Sequence, residues 1–189
     1  MLEVNFDNFP VLGSKNLIIR RLIAADIPEI IVLRGNLDTM RYIPRNLCKT
    51  ADDAQELIDK FDDMINKNEG INWAMASKID NKLIGLVSFH RIEKEHHRAE
   101  IGYMILPEFR GKGLISEGIQ TLLEFGFETM GFHSIFAIIN AKNDASEKVL
   151  QRNHFTKEAH FIENMFHKGT FVDTVFYSML KRNFVKNDS

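Results

Sequence analysis

The chain has 189 residues, 44% of them hydrophobic and 26% charged, a length and balance that fit one soluble domain and exclude disordered, collagenous and membrane-embedded classes. With 24 Lys and Arg against 26 Asp and Glu there is no basic field for nucleic-acid binding, no apolar run spans a bilayer, and residues 1–10 lack a signal-like core, so a cytoplasmic protein is expected. The single Cys48 stands apart from any local His or Cys cluster, so neither an internal disulfide nor a metal ion is expected, and it reads as a structural or surface thiol.

In chain order, residues 1–16 are expected to form an arm, and 17–22 the first strand. Asp26, Pro28 and Glu29 open a helix that runs to about Arg34. A second helix starts after Thr50 and ends near Gly70, with Leu57, Ile58, Phe61, Met64 and Ile65 recurring on one face. Residues 72–79, 83–90 and 97–105 read as an antiparallel meander with a tight turn at Asp80-Asn81. A long apolar-periodic helix follows Gly113 and stops at Gly131, and residues 132–139 form a strand covered on both faces. Residues 143–152 read as a short helix with Asn143 as its cap. Two strands, 155–164 and 170–181, flank a Lys168-Gly169 turn, and 186–189 fray as a tail. The expected fold class is mixed α/β around one sheet, a single domain over 1–189 with about seven strands and four helices.

The informative segment runs from Ile101 to Ile115, where a strand feeds Arg110-Gly111-Lys112-Gly113 into a helix. A helix opening offers free N–H groups and a positive dipole end to an anion. Glycines at 111 and 113 allow close approach of the backbone, and Arg110 and Lys112 add charge, a combination suited to a pyrophosphate. The bland alternative is a plain strand-to-helix turn with solvated cations. The loop lacks both the P-loop spacing and the three-glycine dinucleotide pattern.

Leu17-Ile18-Ile19-Arg20, Ala99-Glu100-Ile101-Gly102-Tyr103, Pro107 through Gly113 and Asn140 through Phe155 together resemble the GNAT superfamily of N-acetyltransferases, and within it the ribosomal-protein N-terminal acetyltransferases of the RimJ/RimL type. The resemblance implies a GNAT-like, mostly antiparallel twisted sheet with a splayed central pair, and acetyl-CoA as acyl donor. It puts the pyrophosphate on Arg110, Gly111, Lys112, Gly113 and Leu114, with Ile115 at the helix start also among the cofactor-binding residues, and pantetheine between residues 101–106 and 132–140, with Ile105 and Leu106 on its path. Asn140 would bond the pantetheine, Ser146 would lie near the sulfur, and Asn143 would either bond the cofactor or cap the helix. Gly102 would mark a bulge that starts the splay, or be a strand glycine packed on a neighbour. Three positions depart from the family: Ile115 replaces a small residue at the helix start, Gln151 stands where many members carry a tyrosine acid, and His154 replaces a glycine.

Chemistry then needs a base, because an amine attacks only when neutral. The resemblance makes Glu100 the leading candidate, against a cross-strand ion pair as its structural role. Backbone N–H groups at 104–106 are candidate oxyanion donors, and Ser146 a candidate acid. His96 and His97 read as solvated loop residues. The acceptor pocket is expected from the first two helices and the final hairpin, near Arg41, Tyr42, Asn164, Phe166 and Asp173. The expected acceptor is a protein N-terminal α-amine. The alternatives are a small amine such as a polyamine, amino sugar or antibiotic, and, in another class, a silent acetyl-CoA-binding module. A homodimer is compatible with the sequence.

Overall fold

The computed structural model describes residues 2–185. An eight-stranded sheet takes the order β1-β2-β3-β4-β5-β6-β8-β7, with β1 Leu12–Gly13, β2 Leu17–Arg20, β3 Ile71–Ser77, β4 Leu83–Glu93, β5 Arg98–Ile105, β6 Ser134–Asn140, β7 Thr156–His167 and β8 Thr170–Leu180. All neighbours are antiparallel except β5 and β6. The expected mixed fold is present. The strand beyond the expected seven is the two-residue β1, inside the segment read as an arm. That arm is not loose: Val4 and Phe6 are buried, and Trp73 Nε1 donates to Pro10 O at 2.8 Å. The expected tail at 186–189 lies outside the described residues.

Helices cover both faces, which is why β3 and β4 are almost continuously buried. One face carries α3 (Leu114–Glu124), packed through Ile115, Ile119, Leu122 and Leu123 on Trp73, Met75, Val87 and Phe89. The other carries α1 (Ile27–Gly35) and α2 (Ala51–Asn66), whose Ile30, Leu33, Ala54 and Ile58 meet Ala74, Leu86 and Leu106. Small Ala74 lets these helices close down on the sheet. No helix among the described residues is long and apolar enough to cross a membrane.

Three local outcomes differ from expectation. Asp26 does not cap α1 with its side chain; buried, it accepts two hydrogen bonds from the Arg20 guanidinium at 2.8 and 2.9 Å and pins β2 to the helix start. The α-helix read as far as Gly131 ends at Glu124, and a π-helical turn, Phe125–Thr129, continues it. Gly102 marks no bulge: it pairs in register with Ser88, and a Cβ there would fall 2.7 Å from Ser88 Oγ and 2.8 Å from His90 Cε1. Its role is close packing under those two side chains.

Cys48 is buried between α1 and α2, and burial pushes its thiol up, as a structural residue requires.

Candidate active site

The splay begins where the parallel pairing stops. β5 and β6 are joined only at Arg98–Ser134, Ala99–Ile135 and Glu100–Phe136, although both strands continue for several residues. Leu106 N donates to Ile84 O, on the β4 side, so by the alternation of a strand the N–H groups of Tyr103 and Ile105 point the other way, into the gap. Ser134 N bonds His97 O across the parallel pair, while Ala141 N bonds Asp173 O on β8. The same alternation therefore turns Ile138 toward the gap. Beyond Glu100 and Phe136 these groups have no ladder partner, and a ligand with amides meets that need. Leu106 does not join them. Its N–H is used, its carbonyl accepts Phe109 N, and its side chain is buried under α1 and α2. Of the N–H groups expected at 104–106 as oxyanion donors, that of Ile105 faces the gap, as does that of Tyr103 just before the range, while those of Met104 and Leu106 face β4.

Two cavities meet at the splay. One, of about 380 Å³, is lined by Ile105, Arg110, Gly111, Gly113, Leu114, Ile115 and Asn143 among others. The second, of about 780 Å³, is lined by Glu100, Asn140, Ser88, His90, Arg34 and Met64 among others. Tyr42, Ile43, Tyr103, Met104 and Ser146 line both, so the pair forms one continuous groove.

In the smaller cavity Gly111 and Gly113 adopt φ of +74° and +80°, and a Cβ on either would meet nothing within 4 Å, so the loop is an open cradle that depends on left-handed backbone. The first helical bond, Glu117 N to Gly113 O, leaves the preceding N–H groups without helical acceptors. Arg110 is held by Asp38 Oδ2 and Thr39 Oγ1, both at 2.7 Å, which ties the loop after α1 to the cradle. Lys112 Nζ lies 5.2 Å from the Phe109 ring centre. Ile115 packs into the core beneath α3 and also borders the smaller cavity. Asn143 Oδ1 accepts Ser146 N at 3.1 Å and caps α4 (Asp144–Arg152). Asn140 Oδ1 accepts Lys142 N at 2.9 Å, which fixes the turn before α4. Free backbone N–H groups at a helix start and an unpaired strand edge are the features that a CoA thioester needs.

In the larger cavity Glu100 is buried, 7% exposed. It does pair across the sheet: Oε2 lies 3.0 Å from Arg91 Nη1 and Oε1 lies 3.5 Å from His90 Nε2. The Arg91 contact lacks hydrogen-bond alignment, so Oε2 accepts no hydrogen bond. His90 Nδ1 lies 3.3 Å from Ser88 Oγ, which extends a polar chain from Glu100 along the cavity wall. Tyr103 donates its hydroxyl to Ser146 O at 3.3 Å, and burial pushes that phenol well above its ordinary value. It stays protonated at neutral pH.

Of the five acceptor-side residues expected, only Tyr42 lines the groove. Arg41 stacks over Tyr42, and its carbonyl lies 3.2 Å from His167 Nε2 of the hairpin. Asn164 bonds Thr174, Phe166 packs on Phe171 at the surface, and Asp173 bonds His160 and Glu163 N. The hairpin contributes Met165 and Thr174 instead.

The acetyltransferase (GNAT) domain family matches residues 16–156. The chain belongs to that family. This acetyltransferase is 32% identical over 173 residues to the uncharacterized N-acetyltransferase YoaA of Bacillus subtilis (strain 168), covering 92% of this chain and 98% of that one. It is 33% identical over 103 residues, 54% of this chain and 56% of that one, to the "Putative ribosomal N-acetyltransferase YdaF" of the same organism. Its fold matches the crystal structure of spermidine N-acetyltransferase from Vibrio cholerae in complex with CoA and spermine, with a TM-score of 0.77, 26% identity, and coverage of 88% of this chain and 96% of that one. It is thus an N-acetyltransferase that uses acetyl-CoA as donor and an amine as acceptor.

Sequence reasoning passed over Arg34, His90 and Tyr103 of this acetyltransferase. Tyr103 carried a signal, since it ends the Glu100-Ile101-Gly102-Tyr103 run. His90 needed strand register, which places it opposite Glu100. Arg34 is 70 residues from its contact Met104.

Proposed function

We propose that this acetyltransferase modifies the α-amine at the N-terminus of a protein, with Glu100 as base and Ser146 as acid. The observation that carries the acceptor is the charge of the larger cavity. Its carboxylates are all engaged within the protein: Asp53 accepts Lys49 N and Thr50 N, Glu56 pairs with Lys60 at 2.7 Å, and Glu100 pairs with Arg91. Arg34 and Arg45 line the same walls. A polycation finds no free acidic set there, whereas a peptide end with one amine does not need one. The partial similarity to YdaF supports the same acceptor class.

The thioester, when bound, supplies an activated acetyl carbonyl: the amine forms the C–N bond, the C–S bond breaks, and the amine's proton is exchanged for one delivered to the thiolate. Glu100 takes the amine proton directly or through a water, and His90 beside it, 37% exposed at its side chain, leads that proton toward solvent. Tyr103 N–H and Ile105 N–H, fixed by the strand and unpaired, hold charge that develops on the carbonyl oxygen. That Ser146 lines both cavities supports its hydroxyl as the acid for the sulfur, and Tyr103 holds the start of α4 through Ser146 O. The cradle at 110–114 anchors the pyrophosphate, with Asn140 and Asn143 at the turn beside the pantetheine path.

The similarity to the spermine-bound enzyme favours a second reading, a small polyamine acceptor. Release of free thiol from acetyl-CoA, measured with peptides and with spermidine, separates the two. Peptide turnover without spermidine turnover is expected, and the reverse overturns the protein acceptor. For the base, Glu100→Gln is expected to lower kcat/KM most at low pH, where the amine is protonated; an unchanged pH–rate profile removes Glu100 from the chemistry.

A further inference from the structure

Arg34 sits in the last turn of α1 and lines the larger cavity. Its Nη1 donates to Met104 Sδ at 3.3 Å, and a thioether is a weak acceptor. Among the described residues it belongs to no ion pair. Burial, and then repulsion from Arg45, pull the guanidinium below its ordinary value. Cys48 gives no countercharge, because burial keeps its thiol neutral. Arg45 lines the same cavity, and its Nη1 reaches only the Pro44 carbonyl at 3.4 Å. The other cations of the cavity differ: Lys60 holds Glu56 and Arg91 holds Glu100. The negative end of the α1 dipole offsets part of the cost of keeping Arg34 charged here, but the half-buried Arg34 and the exposed Arg45 beside it still leave a local positive field along the cleft wall.

The position of that field bears on the acceptor. Met104 and Glu100 lie on β5 with side chains on one face, four residues or roughly 13 Å apart. An amine beside Glu100 and an anion at Arg34 are therefore farther apart than the two ends of a free α-amino acid. They are within the span of a few extended peptide residues, at about 3.3–3.6 Å each.

We propose that Arg34 and Arg45 form an anion subsite of the acceptor cleft, and that the preferred acceptor is a peptide N-terminus carrying a carboxylate side chain within its first few residues. This rests on the N-terminal acceptor reading above and names its preferred sequence chemistry. The donor side is separate, since neither arginine lines the cavity of the 110–114 cradle.

The test uses three peptides of equal length with a free α-amine and with Glu, Gln or Lys at positions two to four. The readout is thiol release by the wild type and by Arg34→Met, Arg34→Lys and Arg45→Gln, with thermal melting and acetyl-CoA binding on each protein. The wild type is expected to favour the Glu peptide over the Gln peptide by at least about tenfold in kcat/KM, as a charged hydrogen bond supplies, and through KM more than kcat. The Lys peptide should rank last, and added salt should compress the series. R34M should bring the Glu-to-Gln ratio close to one, R34K should keep part of it, and R45Q should reduce it. Equal use of Glu and Gln peptides by the wild type overturns the subsite and leaves the peptide reading standing, and this comparison decides even if R34M does not fold. A folded R34M with an unchanged ratio overturns it too, as does a folded R34M with weakened acetyl-CoA binding, which moves Arg34 to the donor side. Turnover of spermidine with no peptide accepted overturns both readings together.

Discussion

His154 holds a left-handed backbone, φ +61°, one residue beyond the C-cap of α4. Phe155 N bonds Leu150 O and His154 N bonds Gln151 O, the pair of bonds that normally places a glycine at this position. A Cβ there costs roughly 1 kcal/mol, so His154→Gly is expected to raise stability by about 0.5–1 kcal/mol and Tm by a few degrees. Denaturant melts check it, with activity preserved because His154 lines neither cavity. The opposite holds at Gly113. With φ +80° and open space beside it, Gly113→Ala strains the backbone by about 1 kcal/mol and places a methyl in the cradle. A raised Kd for acetyl-CoA by calorimetry is the expected result; an unchanged Kd removes this loop from donor binding.

At the scale of elements, α3 is tied to the start of β2 by one carboxylate. Glu117 Oε1 accepts Asn16 N at 2.6 Å, and Oε2 accepts Asn16 Nδ2 at 2.9 Å. Partial burial pushes this carboxyl up, but the Asn16 hydrogen bonds outweigh it and the folded-state value lies below the ordinary one. A group depressed in the folded state stabilises above its unfolded value, about 4.3 for Glu, and that contribution is lost as pH falls through the folded value. Glu117→Gln is therefore expected to lower Tm modestly at pH 7, with the gap to wild type closing as pH falls below the ordinary Glu value of about 4.3. The α2 wall of the cleft depends on another terminus. Thr50 Oγ1 accepts Asp53 N at 3.1 Å, and Asp53 returns the bond to Thr50 N. Thr50→Ala should cost about 1 kcal/mol in denaturant melts.

For the whole molecule, the groove works because a parallel pair is zipped at one end and open at the other. Closing that gap with a ligand that supplies hydrogen bonds stabilises the folded chain by mass action. Acetyl-CoA at about a hundred times its Kd should add about 2.7 kcal/mol, a Tm rise of roughly 5–10 °C for a chain of this size. A thermal scan without that rise contradicts donor binding in the splay. Linkage across the groove is also global: Arg110 holds Asp38 and Thr39, while the hairpin reaches Arg41 through His167. The loop after α1 is thus fastened to the 110–114 loop at one end and to the β7–β8 hairpin at the other.

By itself the sequence determined what depends on neighbours along the chain. Thr50 with Asp53 marks a helix start, apolar runs broken by the Asp80-Asn81 turn set the β3 to β5 meander, and Gly111 with Gly113 sets left-handed turns before α3. Each is a contest between local backbone states, decided within a few residues. Tertiary structure alone decided what faces the groove. Register put His90 opposite Glu100, packing brought Arg34 onto Met104, and the pairing of β5 with β6 stopped at Glu100, so Tyr103 and Ile105 rather than Leu106 present free N–H groups. Such contacts join residues far apart in the chain. Their energies belong to the closed sheet and its two helical layers, and no local propensity encodes them.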